Sequence, residues 1–245
     1  MATGPATTSR TALPLVATLL ILGLAFWCVD IVSPTLPLIR ESLGLNATAA
    51  GLVMSAFFGG RLLANLPAAL MVERSGPRPT AIVGAAVLAV GSMLAALAGG
   101  EAALLLARAL QGFGVALLAT AGLLSVLRAL PAGGAAMTAF NVSVGIGGSL
   151  GLFASGVLTS RFGWQGVFWF SAFLSAVMLG AALVARPARA RNRPGAASAD
   201  AALAAAADWS PALLGAMAAN LLVYGNYAIW LVALPLYAAA RFGAG

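Results

Sequence analysis

Three charged side chains stand inside long uncharged stretches of this sequence: Asp30, Arg61 and Arg108. A carboxylate shielded from water can bind a proton or a cation, because burial opposes its charge and a nearby positive charge favours it. Arginine keeps its charge and supplies only hydrogen-bond donors, so it acts as a fixed positive field. Charges in hydrocarbon are costly unless they are paired. The sequence therefore predicts that Asp30 pairs with Arg108 and binds a proton or a cation.

Each of these charges also has a structural interpretation. Asp30 could extend its carboxylate to the outer headgroups, since it lies near the end of its apolar stretch. Arg108 could bond the free carbonyl groups of a helix end. Arg61 could attract an anionic substrate or Asp30, or it could pack at an interface between domains. The residue types alone leave these alternatives open.

Polar side chains elsewhere extend the candidate cavity. Gln111 follows Arg108 by three positions and so shares its helix face. Asn141 and Asn226 lie deep within two other apolar stretches. We expect all three amides to line a central cavity together with the three charges. Hydrogen bonds between helices would explain the amides equally well.

Small residues recur where helices are expected to touch. Gly147, Gly151 and Ser155 follow one another at a spacing of four, and Gly156 lies beside them. Such stripes let two helix backbones approach closely in lipid. We predict a packing surface for these glycines and for Gly112, and no ligand site.

Composition defines the protein class. The chain has 245 residues, of which 62% are hydrophobic and 8% charged, against about 25% charged in soluble domains. It is therefore predicted to be an integral membrane protein. Histidine is absent and only six residues are acidic, so we expect no catalytic site, no metal site and no cofactor. The net charge of +7 lacks the interleaved aromatic residues of a nucleic-acid surface, so nucleic acid is not an expected partner.

A membrane-spanning helix needs about 20 mostly apolar residues. Seven stretches qualify, and they are predicted to form an all-α membrane fold; they are residues 12–33, 48–72, 79–98, 102–130, 134–160, 164–186 and 211–238. The predicted organisation is a cytoplasmic tail (1–11), a six-helix bundle (12–186), a cytoplasmic linker (187–210) and the first helix of a second bundle (211–245).

The basic residues predict the orientation, because loops rich in arginine stay in the cytoplasm. With the N-terminus inside, eight arginines lie on the cytoplasmic side and three outside; the outer three are Arg40, Arg161 and Arg241. All thirteen basic residues are arginine, which together with abundant alanine and glycine suggests a GC-rich bacterial genome. We therefore expect a multi-pass protein of the bacterial inner membrane.

Two short sequence patterns that occur twice in the chain suggest duplicated units. The tripeptide at 36–38 returns at 234–236, an offset of 198 residues, near the outer ends of the first and seventh spans. An Arg-x-Gly pattern at 74–76 returns at 161–163, at opposite faces of the membrane. Nested repeats of this kind are typical of one class of transporter. The second unit would contain one helix, so we expect the chain to lack a C-terminal bundle.

Three stretches of the sequence resemble motifs of the major facilitator superfamily. The short charged turn after the second span is similar to the family's signature loop and offers Glu73, Arg74, Gly76 and Arg78. The stretch RALQGFGVA at 108–116 resembles the family's motif in helix 4. The glycine stripe of the fifth span resembles the antiporter motif, although Leu152 replaces its proline.

This resemblance implies a twelve-helix fold around a central cavity and transport by alternating access. It implies that Glu73, Arg74, Gly76 and Arg78 form a gating loop on the cytoplasmic side, and that Asp30 and Arg108 couple transport to protons. The expected activity is proton-coupled efflux of a small molecule, with uptake of a small anion or metabolite as the alternative. A further alternative is an incomplete and inactive half-transporter. An enzyme is not expected.

Overall fold

The fold is taken from a computed structural model, which describes residues 9–130, 134–184 and 211–242. Every regular element in these ranges is helical. The helices are α1 (Ser9–Asp30), a 3₁₀ turn (Ser33–Thr35), α2 (Leu36–Ser42), α3 (Ala47–Ser75), α4 (Pro77–Ala96), α5 (Glu101–Ala129), α6 (Gly134–Val184) and α7 (Pro211–Phe242). The predicted tail lies mostly outside these ranges, and the predicted linker 187–210 lies wholly outside them.

The predicted spans correspond closely to these helices. Five described segments are long and apolar enough to cross a membrane, and one of them, α6, has 51 residues, enough for two crossings. The first span was predicted to end at residue 33, whereas the helical path continues through the 3₁₀ turn and α2 to Ser42. Pro34 and Pro37 stand at the starts of these two short helices, where their missing N–H groups cost least.

Glycines with positive φ produce two of the sharp breaks between long helices. Gly76 separates α3 from α4 with φ 85° and ψ 170°. Gly163 divides α6 into a first arm (134–162) and a second arm (164–184), with φ 68° and ψ −177°. Side chains strongly disfavour this backbone region, so glycine is the suitable residue at both breaks. The Arg-x-Gly pattern shared by 74–76 and 161–163 thus ends in glycines with nearly the same φ and ψ.

The helices pack through small residues. Helix α5 lies against α3, α4 and α1, while α6 lies against α1 and α4. A β-carbon at Gly60 or Gly112 would collide with the backbone of the facing helix across the α3–α5 contact. Gly114 meets the backbone of Leu88 in the same way across the α4–α5 contact. Helix α5 is therefore the central element that positions the polar residues of the bundle.

The turn after α1 is joined to α7 by a hydrogen bond. The hydroxyl of Ser33, just after α1, donates a hydrogen bond to the carbonyl oxygen of Leu231 in α7. These two residues are 198 positions apart, which is the offset of the repeat.

Candidate functional site

Arg108 is the centre of the candidate site. Its side chain is completely buried, with the guanidinium carbon 4.5 Å from the centre of the Phe57 ring. Its Nε donates to the carbonyl oxygen of Val53 at 3.4 Å, and one terminal nitrogen lies 3.6 Å from the sulfur of Met54. The cation is thus held against one face of α3 by an aromatic ring and by backbone and side-chain acceptors.

Gln111 continues this network into α4. Its side-chain oxygen accepts a hydrogen bond of 2.8 Å from Arg108, and its side-chain nitrogen donates one of 2.8 Å to the hydroxyl of Ser92. Ser92, Arg108 and Gln111 are all buried. The predicted sharing of a helix face by Arg108 and Gln111 is therefore a direct contact, and it extends to a third helix.

Asp30 ends α1 close to two other helices. The residue is buried, with 5% of its surface exposed, and its charge interacts electrostatically with that of Arg108. Its carboxylate lies over Gly148, where a β-carbon would overlap it. The carboxylate is thus enclosed in the bundle and does not extend outward to headgroups. A side chain at position 148 would require the carboxylate to shift from this place.

Arg61 lies at the contact between α3 and α1. Its guanidinium carbon is 5.1 Å from the centre of the Phe26 ring, and the side chain is half-buried. A ring face attracts a cation, so this contact stabilises the charge inside the bundle. Arg61 therefore lies on the inner side of α3, on which Arg108 also packs.

One of the two predicted asparagines, Asn141, lies apart from this cluster. Asn141 is exposed on the first arm of α6. The side chain of Asn226 lies outside the described residues.

Sequence reasoning missed Ser92 and Phe57, because a lone serine or phenylalanine in an apolar helix gives no signal of its role. The close approach of α4 and α5 is what brings Ser92 to Gln111.

The glycine stripe is a packing surface in three of its four predicted members. Gly147 meets the backbone of Gly23, and Gly151 meets that of Trp27, both across the α1–α6 contact. The hydroxyl of Ser155 donates to the carbonyl oxygen of Ile31 at 2.6 Å and completes the row. Gly156 points the other way, and a β-carbon there would have no neighbour within 4 Å among the described residues. Gly156 lies one residue beyond Ser155 and so is not on the face of α6 that packs against α1, and its role in helix packing stays a prediction.

The predicted gating loop is built around the turn at Gly76. Glu73 and Arg74 are exposed at the end of α3. Arg78 reaches the end of α6, where its Nε donates to the carbonyl oxygen of Ala182 at 3.1 Å and a terminal nitrogen donates to Leu183 at 2.5 Å. An arginine at a helix C-terminus both satisfies free carbonyl groups and complements the helix dipole.

Replacing Arg78 by alanine is expected to lower the free energy of unfolding by about 1–2 kcal/mol, because two carbonyl groups lose a charged donor. Denaturant unfolding in mild detergent would measure this change. Arg74→Ala is the matched control, since Arg74 is exposed four residues earlier, and it should change the stability by less than about 0.5 kcal/mol. Equal losses in the two variants would contradict the capping role of Arg78.

The family model of the Major Facilitator Superfamily matches residues 18–245. The chain belongs to this superfamily. The resemblance seen in the charged turn and in helix α5 is thereby confirmed, as is the all-α membrane fold. Members of the superfamily are membrane transporters.

Several curated superfamily members are similar in sequence. An uncharacterized MFS-type transporter of Mycobacterium tuberculosis, EfpA, is 34% identical over 155 residues, which are 61% of this chain and 28% of that protein. The inner membrane transport protein YajR of Escherichia coli is 30% identical over 54% of this chain and 29% of its own length. The multidrug resistance protein Stp of M. tuberculosis is 28% identical over 68% and 32%, respectively. These relatives support a multi-pass protein of the bacterial inner membrane.

Solved superfamily structures share the fold. A bacterial homologue of the human lysosomal transporter Spinster, inward-facing and unoccupied, has a TM-score of 0.64 at 19% identity, covering 76% of this chain and 45% of that one. A peptide transporter, POT, has a TM-score of 0.58 at 18% identity, covering 85% and 46%. The chain thus corresponds to less than half of each superfamily structure and to about a third of the curated relatives.

Proposed function

We propose that this chain forms the proton-coupling bundle of a secondary transporter that exports small organic molecules by alternating access. The observation that carries the proposal is the burial of a fixed cation, Arg108, in the same bundle as a buried carboxylate, Asp30, with which its charge interacts. Structural ion pairs in membrane bundles are costly, and intramembrane charges commonly mark ion or proton pathways.

Asp30 and Arg108 have complementary roles in this proposal. Arg108 holds a constant positive charge, since arginine does not release its proton under physiological conditions. Asp30 can gain and lose a proton, and each change alters its attraction to Arg108. Protonation would weaken the attachment of α1 to α5, and deprotonation would strengthen it. The proton is thus linked to the relative position of two helices, as alternating access requires.

Export is favoured over uptake by the relatives. Stp of M. tuberculosis and MdtL of Klebsiella pneumoniae are both named multidrug resistance proteins, and MdtL is 35% identical over 86 residues. Uptake of a small anion is the second candidate. The observation in its favour is that two arginines, Arg61 and Arg108, lie in the bundle, whereas Asp30 is the one buried carboxylate among the residues that the structure describes.

Transport also requires surfaces that slide past a second bundle. Apolar side chains stand exposed along α3 and along the first arm of α6, among them Leu62, Leu63, Leu66, Ile146 and Phe153. We propose that part of this surface faces a complementary bundle and that the charged turn at Gly76 gates the seam between them. Glu73 and Arg74 are available for that contact because both are exposed.

The coupling role of Asp30 is tested with proteoliposomes that contain the pH-sensitive dye pyranine. Ethidium, an organic cation, is added outside the vesicles. With the wild-type protein, protons should leave the vesicle lumen in exchange for it. Asp30→Asn should reduce this exchange at least tenfold, because the amide cannot carry a proton. Fluorescein, an organic anion, is the parallel probe for the uptake alternative.

Glu101→Gln is the control for this experiment, since Glu101 is an exposed carboxylate at the start of α5. It should leave the exchange unchanged. Full exchange by Asp30→Asn would refute the coupling role. The assay is run on the chain alone and after co-reconstitution with the C-terminal half of a relative. Activity only in the second case would assign this chain to the half-transporter alternative.

A further inference from the structure

Ser92 ends a polar chain that begins at Arg108. Arg108 donates to the side-chain oxygen of Gln111 at 2.8 Å, and Gln111 donates through its side-chain nitrogen to the hydroxyl oxygen of Ser92 at 2.8 Å. All three side chains have no exposed surface. This row of hydrogen bonds therefore links α5 to α4 without contact to solvent.

The direction of this chain follows from the chemistry of its members. A guanidinium has donors and no acceptor, so it must face the oxygen of the Gln111 amide. The amide nitrogen is then turned away from Arg108 and needs an acceptor, which the hydroxyl of Ser92 supplies. A reversed amide would place two donors against each other at Arg108. Arg108 thus sets the orientation of the amide, and the hydroxyl of Ser92 satisfies the amide nitrogen that this orientation turns toward α4.

The backbones hold Ser92 at this depth. A β-carbon at Gly91, the residue before Ser92, would lie 2.9 Å from the backbone nitrogen of Gln111 and 3.0 Å from its Cγ. Helices α4 and α5 therefore touch at the point where the hydrogen bond forms. On the far side, the Phe57 ring limits the movement of the guanidinium. The network has a fixed support at each end.

We propose that Ser92 is a positioning residue for Arg108 and acts through the amide of Gln111. The inference rests on the proposed function in one respect, which is that Arg108 is taken as the fixed charge of the coupling site. Without the hydroxyl acceptor, the amide nitrogen of Gln111 is left unsatisfied in a buried position. The amide can then rotate, and Arg108 loses a defined partner.

The first test measures melting temperature and does not depend on transport. Ser92→Ala, Gln111→Met and the double variant are purified in detergent, and their melting temperatures are compared with that of the wild type. If Ser92 acts through Gln111, the double variant should melt no lower than Gln111→Met alone, because interacting residues are non-additive. Additive decreases would overturn the inference.

A second comparison separates the hydrogen bond from packing. Ser92→Cys nearly preserves the volume of serine, but sulfur is a weak acceptor. A positioning hydroxyl predicts that the cysteine variant resembles Ser92→Ala, with ethidium–proton exchange about 3–10-fold below wild type, the range expected for one lost hydrogen bond. A packing role predicts wild-type behaviour for cysteine and would overturn the inference.

Ser175→Ala is the matched control. Ser175 is equally buried, but its hydroxyl donates to the carbonyl oxygen of Ser171 in its own helix at 2.7 Å. This variant should keep wild-type exchange. If the wild-type protein shows no exchange with either probe, the proposed function fails, while the melting-temperature cycle still decides the role of Ser92. If exchange is normal and the cycle is additive, only the inference about Ser92 fails.

Discussion

Gly112→Val is expected to prevent the chain from forming a stable bundle. A β-carbon at this position would overlap the carbonyl oxygen of Phe57 and lie 2.8 Å from its carbonyl carbon and 2.9 Å from the backbone nitrogen of Arg61. These neighbours are backbone atoms, so no side-chain rotation can relieve the collision. Helices α3 and α5 would have to separate. Overpacking commonly costs about 1–3 kcal/mol, and a backbone collision belongs at or above the top of that range.

The measurement is the yield of monodisperse protein after size exclusion, followed by its melting temperature. Gly156→Val is the matched control, because it makes the same change in a helix where a β-carbon would have no neighbour within 4 Å among the described residues. The control should purify like the wild type. A Gly112→Val protein with wild-type yield and melting temperature would show that α3 and α5 do not approach each other as described.

Hydropathy was sufficient to predict the helices, because a lipid environment requires long apolar segments whatever their packing. The breaks at Gly76 and Gly163 were also predictable, since charged or polar residues and glycine interrupt the apolar stretches there. The point at which α1 ends and α2 begins was not predictable from the sequence. Their boundary depends on how Pro34 and Pro37 fit into short helices, which hydropathy does not report.

Rotation about the helix axes limited the prediction of contacts. Spacing placed Gly147 and Gly151 on one face correctly, but it could not tell that Gly156, one position beyond Ser155, turns away from α1. The same limit applies to the candidate site. Burial cost predicted that Asp30 and Arg108 interact, because the alternative is an isolated charge in lipid. The contribution of Ser92 depends on which face α4 presents to α5.

Arg108→Met is expected to abolish transport, with exchange reduced at least about 100-fold. Methionine fills similar space but removes the donor to Val53 and to Gln111 and the cation over Phe57. It also removes a positive charge that interacts with the buried carboxylate of Asp30. Breaking one side of a buried charge pair commonly costs about 3–5 kcal/mol, and each 1.4 kcal/mol is a factor of ten.

A second substitution separates loss of folding from loss of coupling. Arg108→Met with Asp30→Asn removes both charges, so the melting temperature should recover relative to Arg108→Met alone, since replacing both members of a buried pair is often tolerated. Exchange should stay lost, because no proton carrier is restored. Arg161→Met, at an exposed arginine, should keep wild-type exchange. Recovery of exchange in the double variant would mean that the two charges stabilise the bundle and take no part in coupling.

Arg108→Lys should also lose exchange. One ammonium cannot occupy the positions of a planar guanidinium that contacts Val53, Met54 and Gln111 at once.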